Sequence, residues 1–298
     1  MRLDDEAPSS NIEDRTGGGG GGGGGGLPIA GLLGLVGNRF GCGGIIVFIV
    51  IAMLLGFNPL QLVGDGQLTA PAPRQQQAAP GGEGASTIDP QVKDMVARVL
   101  GSTERRWTAL FARSGQRYVE PKLVLYTEND RSGCGAAQAA MGPFYCPADQ
   151  GIYLDVTFFN ELATRFRAEG DFAAAYVIAH EVGHHVQTIT GINEKVRRAQ
   201  ANASQAEGNA LQVKMELQAD CYAGVWARND ENLMEPGDLE EGLTAAAAIG
   251  DDTLQRAAGR RPVPESFTHG SSAQRVEWLR RGYQSGDPAT CDTFSAPR

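Results

Sequence analysis

Two histidines four residues apart, with a glutamate directly after the first, constrain this chain more than any other feature: His180-Glu181-Val182-Gly183-His184. Side chains four apart stand on one face of an α-helix, so both imidazoles reach one ion only if the segment is helical. The neighbours agree. Phe172-Ala-Ala-Ala-Tyr-Val-Ile-Ala179 favours helix, Asp171 after Gly170 is placed to cap its start, and Gly191 after Thr190 is placed to stop it. Three of the four histidines in the chain lie within 180–185, so the spacing is no by-product of a histidine-rich composition.

The pattern is H-E-x-x-H, which places two metal ligands and a carboxylate on a zinc-peptidase helix. A hydrolytic zinc site takes three protein ligands and leaves one position for water. His185 is a poor third ligand, because it points about 100° away from His184 on the same helix. Gln187 and Thr190 stand where the metzincin pattern needs glycine and histidine, which excludes that class. Residues 205–228 read as a later helix with Leu211, Met215 and Ala219 on one apolar track and Glu216 and Asp220 beside it, four apart. Glu216 is the expected third ligand. Asp220 is then expected to accept the outer N–H of a ligating histidine, with the reverse assignment, Asp220 on the metal, left open. A zinc ion held there would lower the pKa of a water to about 7. Glu181 would take its proton during attack on a peptide carbonyl and return it to the leaving amine. His269, in Thr268-His269-Gly270, is a candidate donor to the oxyanion, weighed evenly against an ordinary loop histidine.

The chain has 298 residues and a net charge of −9, and its basic pairs are scattered, which argues against nucleic acid as a partner. Residues 1–39 read as a cytoplasmic leader without fixed structure, acidic at first and then carrying ten consecutive glycines, Gly17 to Gly26. Residues 40–57 hold no charge and, extended to 63, meet the length of one transmembrane helix through a lipid bilayer. The acidic leader does not fit a cleaved signal peptide. Arg39 abuts the span on its N-terminal side and the next basic residue is Arg74, so positive-inside counting puts the N-terminus in the cytoplasm and the rest outside, at the inner cell membrane. Residues 64–87, rich in Pro, Gln and Gly, read as a linker, and 88–298 as the folded domain. Its cysteines number four, suited to two disulfides in an oxidising compartment, with Cys134–Cys146 and Cys221–Cys291 the preferred pairing.

Within the domain, 90–113 reads as a helix, 122–127, 144–146 and 151–155 as strands, 158–169 as a helix, and 238–257 and 272–283 as further helices, with 256–271 a loop. The fold class is α+β: a mainly helical domain with a small β-sheet, preceded by one transmembrane helix.

Taken block by block, the sequence resembles the neutral zinc metallopeptidase family of bacterial membranes. The resemblance runs through Ser10-Asn-Ile-Glu-Asp-Arg15, the glycine run and apolar stretch, Phe144-Tyr-Cys-Pro-Ala-Asp149, Tyr153-Leu-Asp155, His180–Gln187, Glu216-Leu-Gln-Ala-Asp-Cys-Tyr-Ala-Gly224 and Phe267-Thr-His-Gly-Ser271. It implies a zincin-like domain with Zn2+ as cofactor, ligands at His180, His184 and Glu216, the base at Glu181, and a protein or peptide substrate. Two other readings follow from the same residues. A zinc-stabilised membrane scaffold that has lost hydrolysis would not need Glu181. An intramembrane protease is excluded, because the segment between Asp171 and Gln187 is too short and too polar to span.

Overall fold

Lys122–Tyr126 (β2) and Gly151–Asp155 (β6) pair in parallel at the centre of a sheet, and both are buried along nearly their whole length. Strands covered on both faces read as unbroken apolar runs, which is how they appear in the sequence. The computed structural model describes residues 1–17, 86–168, 170–230 and 232–295. The sheet is completed by Ile12–Asp14 (β1), parallel to β2, and Phe144–Cys146 (β5), antiparallel to β6, giving the order β1-β2-β6-β5. A separate hairpin, Asn129–Ser132 (β3) with Gly135–Gln138 (β4), follows β2, and the Cys134–Cys146 disulfide ties its tip to β5.

Around the sheet lie the helices Pro90–Arg113 (α1), Phe158–Thr164 (α2), Asp171–Ile189 (α3), Ile192–Gln200 (α4), Gln205–Asn229 (α5), Asp238–Ala248 (α6), Asp251–Ala257 (α7) and Ser272–Ser285 (α8). Helix α1 starts with Asp89, whose carboxylate accepts the Gln91 N–H at 2.8 Å, and with proline at its first position. Helix α3 is buried on almost every side, as a helix apolar all round must be. Its cap lies one residue before the expected one: Gly170, at φ 112°, is the N-cap and Asp171 lies in the first turn. A side chain at Gly170 would collide with the Glu241 carboxylate. The helix expected over 158–169 closes at Thr164. Helices α5 and α8 approach so closely at Gly224 and Gly282 that a Cβ on either would strike the facing backbone. The Cys221–Cys291 disulfide fastens the chain after α8 to α5.

The first seventeen residues correct the reading of an unstructured leader. They form β1 and lie against α1, where Ser9 N–H donates to Ala97 O at 2.8 Å and Arg98 donates to the carbonyls of Leu3, Asp4 and Glu6. Their charges find partners: Asp14 with Lys93 at 2.7 Å, Glu13 with Lys122 at 3.3 Å, Arg15 with Asp130 at 3.0 Å. A three-residue strand with one apolar side chain, Ile12, leaves no periodicity to read. Its place is set by the sheet it joins. The expected span at 40–63 and the linker at 64–87, save for its last two residues, lie outside the described residues. Among the described residues no helix is long and apolar enough to cross a membrane.

The two disulfides close loops of unequal length, with separations of 12 and 70 residues. Loop-closure entropy gives the longer about 4 kcal/mol of stabilisation and the shorter about 3. Replacing Cys221 and Cys291 by alanine should therefore lower the unfolding free energy more than replacing Cys134 and Cys146, as measured by denaturant titration. The opposite order would contradict this placement of constraint.

Candidate metal centre

Helices α3 and α5 run antiparallel side by side, with Phe172 stacked on Trp226 at one end, Tyr176 bonded to Asp220 next, and Gln187 bonded to Met215 at the other end. A Cβ at Gly183 would lie 3.0 Å from both the Cα and the carbonyl oxygen of Ala219, so any side chain at 183 would press the two helices apart by a few tenths of an ångström. The approach sets the four-residue step of His180 and His184 opposite the four-residue step of Glu216 and Asp220. The start of α5 is fixed by a capping box, in which Ser204 and Glu207 satisfy one another's backbone N–H groups.

Between them, Glu216 Oε2 stands 3.2 Å from His180 Nε2 and 3.5 Å from His184 Nε2. The three ligand atoms lie within 4.8 Å of one another, close enough to hold one metal ion. Two imidazole nitrogens and one carboxylate oxygen suit zinc in a site that keeps a position open. The outer nitrogens support the same orientation. His180 Nδ1 donates to Asp220 Oδ1 at 2.8 Å, and His184 Nδ1 donates to Gln187 Oε1 at 2.9 Å, in the tautomers that leave both Nε2 atoms free to coordinate. The structure thus brings Asp220 to the back of His180, while Glu216 faces both rings.

Each of these acceptors is held in turn. Arg275, 2 % exposed, forks onto Asp220 with Nε to Oδ2 and Nη2 to Oδ1, both at 2.9 Å, and Tyr176 donates its hydroxyl to Asp220 Oδ1 at 2.6 Å. Gln187 donates to Met215 O at 2.7 Å and to Gln218 Oε1 at 3.1 Å, and Gln218 donates to Cys291 O at 2.9 Å. On the other side, Gln212 donates to Glu216 Oε1 at 2.8 Å. Gln187 was expected neither as a ligand nor as a partner of one. Its position three residues after His184, on the same helical face, was the available signal. Tyr176, four residues before His180, carries the same signal, whereas Arg275 carries none, because it lies 55 residues from Asp220 along the chain.

The electrostatics follow from this packing. Burial alone would lower the pKa of His180, but the charge and hydrogen bond of Asp220, with Glu216 behind them, raise it to about 10. Burial would push Glu216 up, yet His184 and His180 hold its carboxyl well below the usual range. The same negative potential that retains a proton on His180 favours a dication, so proton and metal compete for one place. Glu181 is 6 % exposed, and burial raises its pKa above the ordinary carboxylate value, which moves it towards the range useful to a general base.

His269 lies near this group, on the loop before α8. Gly270 sits against Val213 and Leu217 of α5, and Glu216 contributes to the field at the imidazole. Its side chain is 52 % exposed. Asp251 anchors the loop, accepting the backbone N–H groups of Thr268, His269 and Gly270 and facing His269 Nδ1 at 3.2 Å, and that contact raises the His269 pKa. His185 has a different task. Fully buried, it donates from Nε2 to Val119 O at 2.6 Å and faces the Tyr145 hydroxyl at 3.1 Å with Nδ1, pinning α3 to the sheet.

Glu216→Ala should remove most bound zinc, measured by metal analysis of purified protein. Asp220→Ala should keep one zinc per chain but weaken it about 10- to 100-fold in competition with a chelator. If the two variants exchange these outcomes, Asp220 is the ligand. Apparent affinity should also rise with pH through neutrality, since His180 must give up its proton to bind. A pH-independent affinity would contradict the raised pKa.

Comparison with known proteins agrees with the chemistry of this donor set. Residues 1–294 match the model of the family described as "Putative neutral zinc metallopeptidase". The chain is 46 % identical over 298 residues to "Uncharacterized protein YpfJ" of Escherichia coli K12, covering 99 % of both chains. It is 40 % identical over 266 residues to "Uncharacterized protein Mb2605" of Mycobacterium bovis, covering 82 % of this chain and 85 % of the other. No solved structure matches. The chain belongs to the family of that description.

Proposed function

We propose that this protein is a zinc-dependent endopeptidase, anchored to a bacterial membrane, with its folded domain outside the cytoplasm. The observation that carries the reading is the convergence of His180 Nε2, His184 Nε2 and Glu216 Oε2 directly beside a buried Glu181. A scaffold would need the first three groups but not the fourth. Bound zinc would supply Lewis acidity and lower the pKa of a water. His180, His184 and Glu216 would hold the ion. Glu181, on the same helix and one residue from His180, would accept the proton of the attacking water and deliver it to the leaving nitrogen. His269, held by Asp251, would donate a hydrogen bond to the oxygen that gains charge in the transition state. Strand β5 ends the sheet and packs beside α3 through Tyr145 and His185. An extended peptide could add to that edge and lie across the metal. A cavity of about 320 Å³ is lined by Gln200, Asn209, Thr268 and Gln212, the donor to Glu216, and would receive a substrate side chain.

Two considerations support the compartment. The disulfides at Cys134–Cys146 and Cys221–Cys291 suit an oxidising space, and residues 40–57 carry eighteen uncharged, mostly apolar positions.

Glu181→Gln should retain zinc while proteolysis falls by at least about 100-fold, read by comparing extracytoplasmic proteomes of cells carrying the wild-type and variant proteins. Identical proteomes would remove the peptidase reading and leave the scaffold. Alkaline extraction of membranes tests the anchor: the protein should stay in the pellet, and release into the supernatant would contradict it.

A further inference from the structure

Strand β1 and helix α1 belong to one parallel β-α-β unit. Strand β1 pairs with β2 in the register Ile12 with Leu123, Glu13 with Val124 and Asp14 with Leu125. Parallel neighbours need a crossover, and α1 supplies it. Residues 18–85 therefore interrupt a single folding unit between its first strand and its helix. The two ends of the interruption touch. Thr87 N–H donates to Thr16 Oγ1 at 3.2 Å, Thr87 Oγ1 donates to Thr16 O at 3.1 Å, and the Thr16 and Ser86 hydroxyls lie 3.5 Å apart. Gly101 of α1 shows that the docking is built in: a Cβ there would strike Ala7 O and lie 3.0 Å from Ser9 N. Glu6 is buried against Arg105 and Arg106.

This geometry conflicts with a chain that crosses a bilayer once. A single crossing separates its two ends by about 30 Å of hydrocarbon. It would place Met1–Gly17 on one side and β2 on the other, and the strands could not pair. Leaving β2 without its neighbour would also expose the backbone groups that now bond through Leu123 N–H to Asn11 O and Arg15 N–H to Leu125 O. We propose that Met1–Gly17 and the domain occupy the same face of the membrane, because β1 and β2 can pair in no other way. The N-terminus is then extracytoplasmic with the domain rather than cytoplasmic. The docked leader completes the sheet from the domain's own side. This inference rests on the membrane reading above.

The test is made on the full chain in native membranes. Asp5→Cys and Gln116→Cys, each exposed, are introduced singly in a Cys42→Ser background and treated with a membrane-impermeant maleimide. Both should label in right-side-out vesicles, and neither in sealed inside-out vesicles. In the unsubstituted protein, a zero-length carbodiimide should join Lys93 to Asp14 and Lys122 to Glu13, identified by mass spectrometry. Labelling from opposite faces, or absence of both cross-links, overturns the proposal. Release of the protein by alkaline extraction removes the membrane reading itself. Retention in the pellet with opposite-face labelling removes this inference alone.

Discussion

The contact between Gly183 and Ala219 is the constraint on which the rest depends. A metal site built from two helices needs their axes close enough for short carboxylate and imidazole side chains to meet. Here backbone approaches backbone, because one of the two partners has no side chain. With the helices held that close, two identical four-residue steps on antiparallel helices fall opposite each other. Glu216 then faces both rings and Asp220 stands one turn behind. Larger side chains at 183 would part the helices and lengthen all these distances together.

Behind the three candidate ligands runs a continuous polar structure inside an otherwise apolar core. One arm passes from His180 through Asp220 to Arg275 and Tyr176, and so connects α3, α5 and α8. The other passes from His184 through Gln187 and Gln218 to the carbonyl of Cys291, the residue whose disulfide also holds α5. Buried polar groups are costly unless satisfied, and here each satisfies the next. The arrangement fixes imidazole tautomer and direction before any ion arrives, which lowers the ordering cost of binding. A buried Arg–Asp pair is weak evidence for stability. Its value here is orientation.

The long helices were legible from their length and residue choice. Residues 90–113 and 205–228 match Pro90–Arg113 and Gln205–Asn229 to within a residue, and the shared face of Glu216 and Asp220 follows from spacing alone. The preferred cysteine pairing is the one the structure contains. What was hidden depends on tertiary partners. Ile12–Asp14 is a strand only because β2 offers it an edge. The Asn129–Gln138 hairpin is polar and owes its position to Cys134. Ile192–Gln200 is short, with one fully buried residue, Val196. Arg275 reaches Asp220 only through the close packing of α5 and α8 at Gly224 and Gly282. The leader misled for a physical reason: its few apolar residues, Met1, Leu3 and Ile12, have no helix or strand period, and its order comes from their packing on the core and from ion pairs and backbone bonds supplied by α1 and β2.

X-ray absorption at the zinc edge of the purified, metal-loaded protein tests the central claim most directly. Two imidazole nitrogens and one carboxylate oxygen at about 2.0–2.2 Å, with no sulfur shell near 2.3 Å, is the expected spectrum. A spectrum with sulfur ligation, with a single imidazole, or unchanged by Glu216→Ala would contradict a site assembled from these two helices.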